Sequence, residues 1–284
     1  MLRRFGEFLR EVRAEWVADD ALSLGAALAY YTVFSMAPLL VLVIAIAGLV
    51  LGRAAAEGEL VGQIGNLVGQ AGAQAIQDMV NRASGPKAGV VASVVSLVTI
   101  SLGATGVFGQ LQHSLNKIWE APPPQRGGFR SQVRKRVLAF GMILGIGFLL
   151  LVSLAVSAAL ALVHDLLAAH VPLLTEVLPT INLLLGFGVI ATLFAIMFKV
   201  LPDVGMRWRD VWPGAAVTAL LFSVGKTLIG LYLGRAGVTS VYGAAGSFVL
   251  LLLWVYYSAQ ILFVGAEFTE VYSRRYGSRR ATPD

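Results

Sequence analysis

Lys226 is the residue whose type and position most invite chemistry. It lies within Val211–Gly234, a stretch otherwise free of charge. A lysine at the centre of a membrane helix costs about 2.5–3.5 kcal/mol, which neighbouring Leu, Phe and Val side chains can offset. Such a residue should face a bundle interior or a wet cavity, as a cationic site for an anionic substrate or as a proton-linked switch. The plain alternative is an ammonium snorkelling to the headgroups. Depth counting puts Tyr256, Tyr257 and Gln260 at a similar level. A second polar set comprises Tyr30, Tyr31 and Ser35, then Gln110, Gln112 and Asn116, then Glu267 and Glu270. In helices that alternate in direction these share one depth, where they either line a polar cavity or hydrogen-bond helix to helix. Pro38 has no N–H and strips the Phe34 carbonyl of its helical partner, which predicts a kink of the kind found beside transport sites and tolerated in ordinary bundles.

Other chemistry is missing. The three histidines are His113, His164 and His170, and the last two share a short connection with no carboxylate cluster beside them. HExxH, GxSxG and GxxxxGK[ST] patterns are absent; Gly225–Lys226–Thr227 resembles only the end of the last, without its upstream glycine or strand. With no cysteine, disulfides, thiolate metal sites and cysteine nucleophiles are excluded. No catalytic residue, metal site or cofactor is expected, and neither is nuclease activity.

The elements that must position these groups follow from composition. Of 284 residues, 57% are hydrophobic and 13% charged, with mean hydropathy +0.76. Soluble domains carry about 25% charged residues, so this chain cannot clothe a water-facing surface. A spanning helix needs about 20 apolar residues. The charge-poor runs predict six spans, at about 28–50, 89–112, 136–162, 178–200, 211–233 and 246–269. They are too long, and too rich in Ala, Leu and Gly, for barrel strands. The expected fold is all-α, one polytopic membrane domain over 1–284. The first apolar run is long enough to stay in the bilayer, so no cleaved signal peptide is expected.

Lys and Arg sort by segment. Seventeen lie in the N-terminal tail, the second and fourth connections and the C-terminal tail; Arg53, Arg82, Lys87 and Arg235 lie on the other side. Positive residues accumulate on the cytoplasmic side, which predicts both termini there. The basic excess then reflects orientation and anionic headgroups rather than nucleic acid. Over residues 1–20, Phe5, Phe8, Leu9, Val12 and Trp16 recur at helical spacing among Arg3, Arg4, Arg10 and Arg13, as in a helix lying at the cytoplasmic interface. Over 54–87 an apolar stripe through Leu60, Ile64, Leu67, Val68, Ala71, Ala75 and Met79 predicts an amphipathic outer helix between helices one and two. Residues 273–284 form a basic cytoplasmic tail. Gly141/Gly145, Gly230/Gly234 and Gly103, Gly106 and Gly109 are close-packing signals.

Several blocks resemble one family. Ala27-Leu-Ala-Tyr-Tyr-Thr-Val-Phe-Ser-Met-Ala-Pro-Leu-Leu40 is similar to the first-helix signature of the YihY/BrkB membrane proteins, a family formerly labelled ribonuclease BN. Gln110-Leu-Gln-His-Ser-Leu-Asn-Lys-Ile-Trp119, Leu201-Pro-Asp203 and Trp208-Arg-Asp-Val-Trp-Pro-Gly-Ala215 continue it, as do Val241–Ser247, Leu253–Tyr257 and Gly265–Phe268. The resemblance covers about residues 20–272. It implies a six-helix bacterial inner-membrane protein, of a family linked to serum resistance and envelope lipid export. It transfers no catalytic residues, and the missing nuclease chemistry argues against the ribonuclease label.

The expected function is therefore transport or flipping of an amphiphilic envelope component such as an anionic lipid. Lys226, Tyr30, Tyr31, Ser35, Pro38, Gln110, Asn116, Tyr256, Tyr257, Gln260 and Glu267 are the candidate lining. The alternative is a non-transporting membrane scaffold for envelope assembly. Expected partners are membrane lipids and, where a cavity needs a second chain to close it, another copy; nucleic acid is not one.

Overall fold

The computed structural model describes residues 2–35, 106–122, 172–235 and 246–279, with single helical positions at 58, 77 and 141. Six helical segments are described at length: α1 (Leu2–Ala18), α2 (Ala21–Ser35), α3 (106–118), α4 (Pro172–Val200), α5 (Trp208–Arg235) and α6 (Gly246–Arg275). No strand occurs among the described residues. The protein is all-helical, as its composition predicts.

Three of these segments are long and apolar enough to cross a bilayer: Thr180–Val200, Trp208–Leu228 and Phe248–Arg275. They coincide with the expected spans at 178–200, 211–233 and 246–269, and α6 runs six residues further than expected. The spans at 28–50 and 89–112 fall only partly within the described residues. Pro38 and, apart from single positions, the span at 136–162 and the segment 54–87 lie outside them.

α4 is apolar all round, the pattern of a helix with no water-facing side. Its Leu183 is 72% exposed and Leu184 63%, and Val224 and Leu228 of α5 are more than half exposed. Apolar surface on this scale belongs in hydrocarbon, where it costs nothing to leave uncovered.

α6 is the hub. It packs along α5, α5 packs along α4, and α1 lies against the last turns of α6. α2 runs antiparallel to α6, with the Phe34 and Phe248 rings 6.2 Å apart near one end and Gln260 bonded to Ala21 near the other. The core is filled by Leu115, Trp119, Phe198, Leu251 and Phe263, all fully buried, with Trp119 edge-on to Phe198 at 5.7 Å. These hydrocarbon and ring contacts hold the bundle where water offers no driving force.

The amphipathic reading of residues 1–20 resolves into α1, with one change. Phe8 and Val12 do not merely rest on a surface: they are buried against Val271 of α6, with Phe268 and Tyr272 packed around them. Phe5, Leu9 and Val17 stay exposed. About half of the apolar stripe is thus taken by the protein itself.

Candidate functional site

One end of the bundle is cross-stitched by side chains from segments far apart in sequence. α1 ends at Ala18, and Asp20 takes a φ of 55°, a left-handed conformation that Asp tolerates. The chain turns there and restarts as α2, with the Leu24 N–H donating to the Asp20 carbonyl. α3 stops in the same way: Glu120 has φ 47°, and the Ala121 N–H reaches back to the Asn116 carbonyl at 2.8 Å. Lys117 of α3 then donates its ammonium to the Asp19 carbonyl, closing the α1–α2 elbow.

The turn between α4 and α5 is held from α3. Asn116 Nδ2 donates to Asp203 Oδ2 at 3.0 Å, and the Asp203 N–H donates to Asn116 Oδ1 at 2.8 Å. Gln112 Nε2 adds bonds to the Leu201 carbonyl and to Asp203 Oδ1. At the start of α5, buried Asp210 accepts from the N–H and hydroxyl of Ser278, drawing the chain beyond α6 back onto the bundle. Arg279 Nη1 donates to the Trp119 carbonyl. Lys117, Lys199, Arg274, Arg275 and Arg279 therefore do structural work at this end, beyond the orientation that their count implies.

Glu267 sits inside this frame. Its side chain is fully buried on α6, and among the described residues neither carboxylate oxygen meets an N–H or hydroxyl donor. The Asp19 carboxyl lies within hydrogen-bonding reach of it, and the charges acting on it are those of Asp19, Glu270 and Glu15. The indole N–H groups of Trp16 and Trp119 are also buried without a partner among the described residues. Most buried polar groups are paired, because an unpaired one costs about 1–3 kcal/mol. Asp19, at the elbow, has its carboxyl pushed above the ordinary range by burial, against the pull of the Lys117 ammonium. Two acceptor oxygens among carboxyls suit a hydrogen-bond donor or a cation.

The other expected lining residues have definite places. Tyr256 and Gln260 lie against Gly25 of α2, and Gln260 Nε2 donates to the Ala21 carbonyl at 3.3 Å. Tyr257 faces α5 instead, its hydroxyl 2.6 Å from where a Cβ on Gly225 would stand. Tyr31 packs on Gly106 of α3, while Tyr30 is edge-on to Tyr31 and stacks near Phe34. Ser35 is buried and bonds within α2 to the Thr32 carbonyl. Gln110 bonds to Ser114 in its own helix, and Asn116 holds Asp203. Lys226 is exposed on α5. It stands about ten residues beyond the α5 level that faces Glu267's turn, roughly 15 Å along the axis, so the two are separate points.

Asp19 was not named from the sequence, and Trp16 and Trp119 were named only in the apolar stripe and in a family motif, not as site residues. Asp19–Asp20 between two helical patterns was the available sign for the first; nothing local marks the indoles. Among the described residues no group of three His or acidic side chains is placed to hold a metal ion.

A family model described as virulence factor BrkB matches residues 12–284, in agreement with the motif resemblance. A UPF0761 membrane protein of Pseudomonas aeruginosa PAO1 is 27% identical over 297 residues, covering 98% of this chain and 66% of that protein. One of Ralstonia nicotianae is 28% identical, covering 99% of this chain and 60% of its own length. One of Verminephrobacter eiseniae is 31% identical over 185 residues, covering 64% and 41%. The chain thus spans at most 66% of the length of these relatives. No solved structure gives a significant match.

Proposed function

The chain belongs to the virulence factor BrkB family of membrane proteins, and on that footing we propose that it moves or flips an amphiphilic, anionic lipid component of the envelope. It does so as a multi-pass protein of the bacterial inner membrane, with six spans and both termini cytoplasmic, and without enzymatic turnover. Membrane lipids are its partners and nucleic acid is not. The observation that carries this reading is Glu267. Asn116, Gln112 and Gln260 spend hydrogen bonds on tying segments together, and Thr218 and Thr269 spend theirs within their own helices. Glu267 meets no N–H or hydroxyl donor among the described residues and faces only the Asp19 carboxyl across the α1–α2 elbow, and a carboxyl buried in a membrane bundle is by default a functional group.

The test is complementation of a deletion strain, read as envelope lipid composition. Glu267→Gln keeps the side-chain shape and is expected to restore protein level but not lipid composition; Lys226→Met is expected to weaken restoration. Single cysteines introduced near Tyr31, Lys226 and Glu267 should react with small aqueous thiol reagents. Full complementation by both variants, or a bundle sealed at all three positions, removes the transport reading.

A non-transporting scaffold is favoured by a different observation: the extent to which polar groups at the α1 end are consumed in static cross-links. Deleting residues 55–85 would then abolish function, and Glu267→Gln would leave it intact.

A further inference from the structure

α1 and α6 meet along a groove of about 600 Å³, lined by Arg4, Phe5, Phe8, Phe268, Tyr272 and Tyr276. Its floor is aromatic. Phe8 stands edge-on to Phe268 at 4.9 Å and lies 6.4 Å from Tyr276, which is itself 5.7 Å from Tyr272. Phe8 is buried, while Phe5 and Tyr276 remain 57% and 59% exposed. The volume is that of a typical ligand cleft, and among the described residues no side chain fills it.

Its depth is indicated by neighbouring aromatics. Gly277 lies against Asp210, so the end of α6 is level with the start of α5, where Trp208 and Trp212 are 47% and 43% exposed. Exposed Trp and Tyr rings at the ends of apolar spans are the mark of the headgroup region. The groove therefore opens where phosphates and the first methylenes of lipid chains lie.

Its charge follows from how α1 spends its carboxylates. Glu11 pairs with Arg274 and Arg275, Glu15 with Arg274, and Glu7 with Arg3. Every acidic residue of α1 is thereby taken, two of the three by α6. Arg4, Arg10 and Arg13 have no carboxylate partner among the described residues, and all three are exposed. Arg4 is the one at the groove.

We propose that this groove seats an anionic phospholipid of the bilayer, with its phosphate on Arg4 and the upper part of an acyl chain along Phe5, Phe8, Phe268, Tyr272 and Tyr276. A guanidinium with all its donors unspent is suited to a phosphate. The rings provide an apolar seat that water would wet poorly. The cationic mouth selects an anionic over a zwitterionic lipid, and the rest of α1 adds Arg10 and Arg13 as a general attraction to the same surface. The seat needs the membrane reading but not transport, since the lipid held here steadies α1 on α6 whether or not anything crosses the bundle.

The full chain, reconstituted in vesicles of phosphatidylglycerol and phosphatidylcholine, is labelled with photoactivatable phosphatidylglycerol carrying a diazirine in its acyl chain, and adducts are mapped by mass spectrometry. Adducts are expected on peptides containing Phe5 and Tyr272–Tyr276, and fewer with the matching phosphatidylcholine probe. Arg4→Gln should cut labelling there roughly fivefold, the loss of a direct charged contact to the phosphate. Arg10→Gln, away from the groove, weakens only the general attraction and should lower that labelling far less. Arg4 is exposed, so circular dichroism should find both variants folded. Equal labelling by the two lipids, or labelling indifferent to Arg4→Gln, overturns the proposal. So does efficient chain-to-chain disulfide formation through Phe5→Cys, which would make the occupant a second copy. A Glu267→Gln chain that had lost its envelope phenotype would still label the groove, so failure of transport and failure of this site remain distinguishable.

Discussion

Gly214 of α5 lies directly beneath Thr269 of α6: a Cβ on the glycine would run into the threonine hydroxyl and stand 2.8 Å from its Cβ. The relationship is reciprocal, because Gly265 of α6 lies in the same way beneath Thr218 of α5. Each threonine donates its hydroxyl to the glycine carbonyl one turn earlier in its own helix, at 2.6 Å for Thr218 and 2.7 Å for Thr269. Two four-residue Gly–Thr units thus interlock. The glycines admit the partner backbone, and the threonines satisfy their own hydroxyls locally, so the crossing is close-packed without an orphan donor.

Gly214→Ala should lower the unfolding temperature of the detergent-purified chain, with an overpacking cost of about 1–3 kcal/mol. The double variant Gly214→Ala/Thr269→Ala removes the hydroxyl that lies nearest but keeps the Cβ 2.8 Å away, and should recover part of that loss. A double-mutant cycle showing simple additivity would mean that the two positions do not meet.

Arg274 ties Glu11 and Glu15 of α1 to α6 at 2.9 and 2.7 Å, with Glu270 at 3.7 Å. Arg274→Gln should weaken docking of α1 by about 1–2 kcal/mol, since charged hydrogen bonds are lost from a partly exposed network. Limited proteolysis should then cut residues 1–18 faster, and high salt should produce a milder version of this in the parent chain. Arg3→Gln removes only an exposed pair with Glu7 and should change nothing.

The Asn116–Asp203 pair predicts a swap. Asn116→Asp sets two carboxylates face to face and should destabilise the chain. Asn116→Asp combined with Asp203→Asn restores a donor against an acceptor, with the backbone N–H of residue 203 still served, and should recover most of the loss. Thermal unfolding of the four chains decides it, and failure of the swap to rescue would refute the pairing.

Asp19 carries the pH dependence outside the spans. Burial raises its pKa above the ordinary 3.8 in the folded chain. The folded state therefore holds this proton more tightly than the unfolded one. The stability this provides is complete below the ordinary value and is lost as pH rises through the raised one. Asp19→Asn should remove that trend, so the stability of Asp19→Asn minus that of the parent should grow as pH rises from about 4. A difference flat in pH would contradict it.

Much of the architecture was legible because it follows from solvent. Runs of apolar residues at 178–200, 211–233 and 246–269 cannot face water, and their length matches a bilayer, so the helices stand where composition required. The stripe of α1 was legible for the same reason, since Phe8 and Val12 recur on the apolar face of a 3.6-residue period. What that stripe packs against was not. Val271 and Phe268 are more than 250 residues away, and a periodic pattern names a face without naming its partner.

The candidate site divides along that line. Glu267 and Gln260 stood out by sequence as polar groups in apolar runs, and Tyr256 and Gln260, one turn apart, both lie against Gly25. The glycine signals read from the sequence did not include Gly214 or Gly265, because a Gly four residues from a Thr is common and becomes a crossing only when two copies face each other. By itself, the sequence determined a membrane-bound helical bundle, its family motifs and part of its buried polar set (Ser35, Glu267 and Glu270), because each depends on the local balance of apolar and charged residues. Tertiary structure alone decided which of those groups are consumed as helix ties and which, like Glu267, face another carboxyl. Pairing depends on lateral neighbours across Å-scale distances, and one-dimensional order does not encode them.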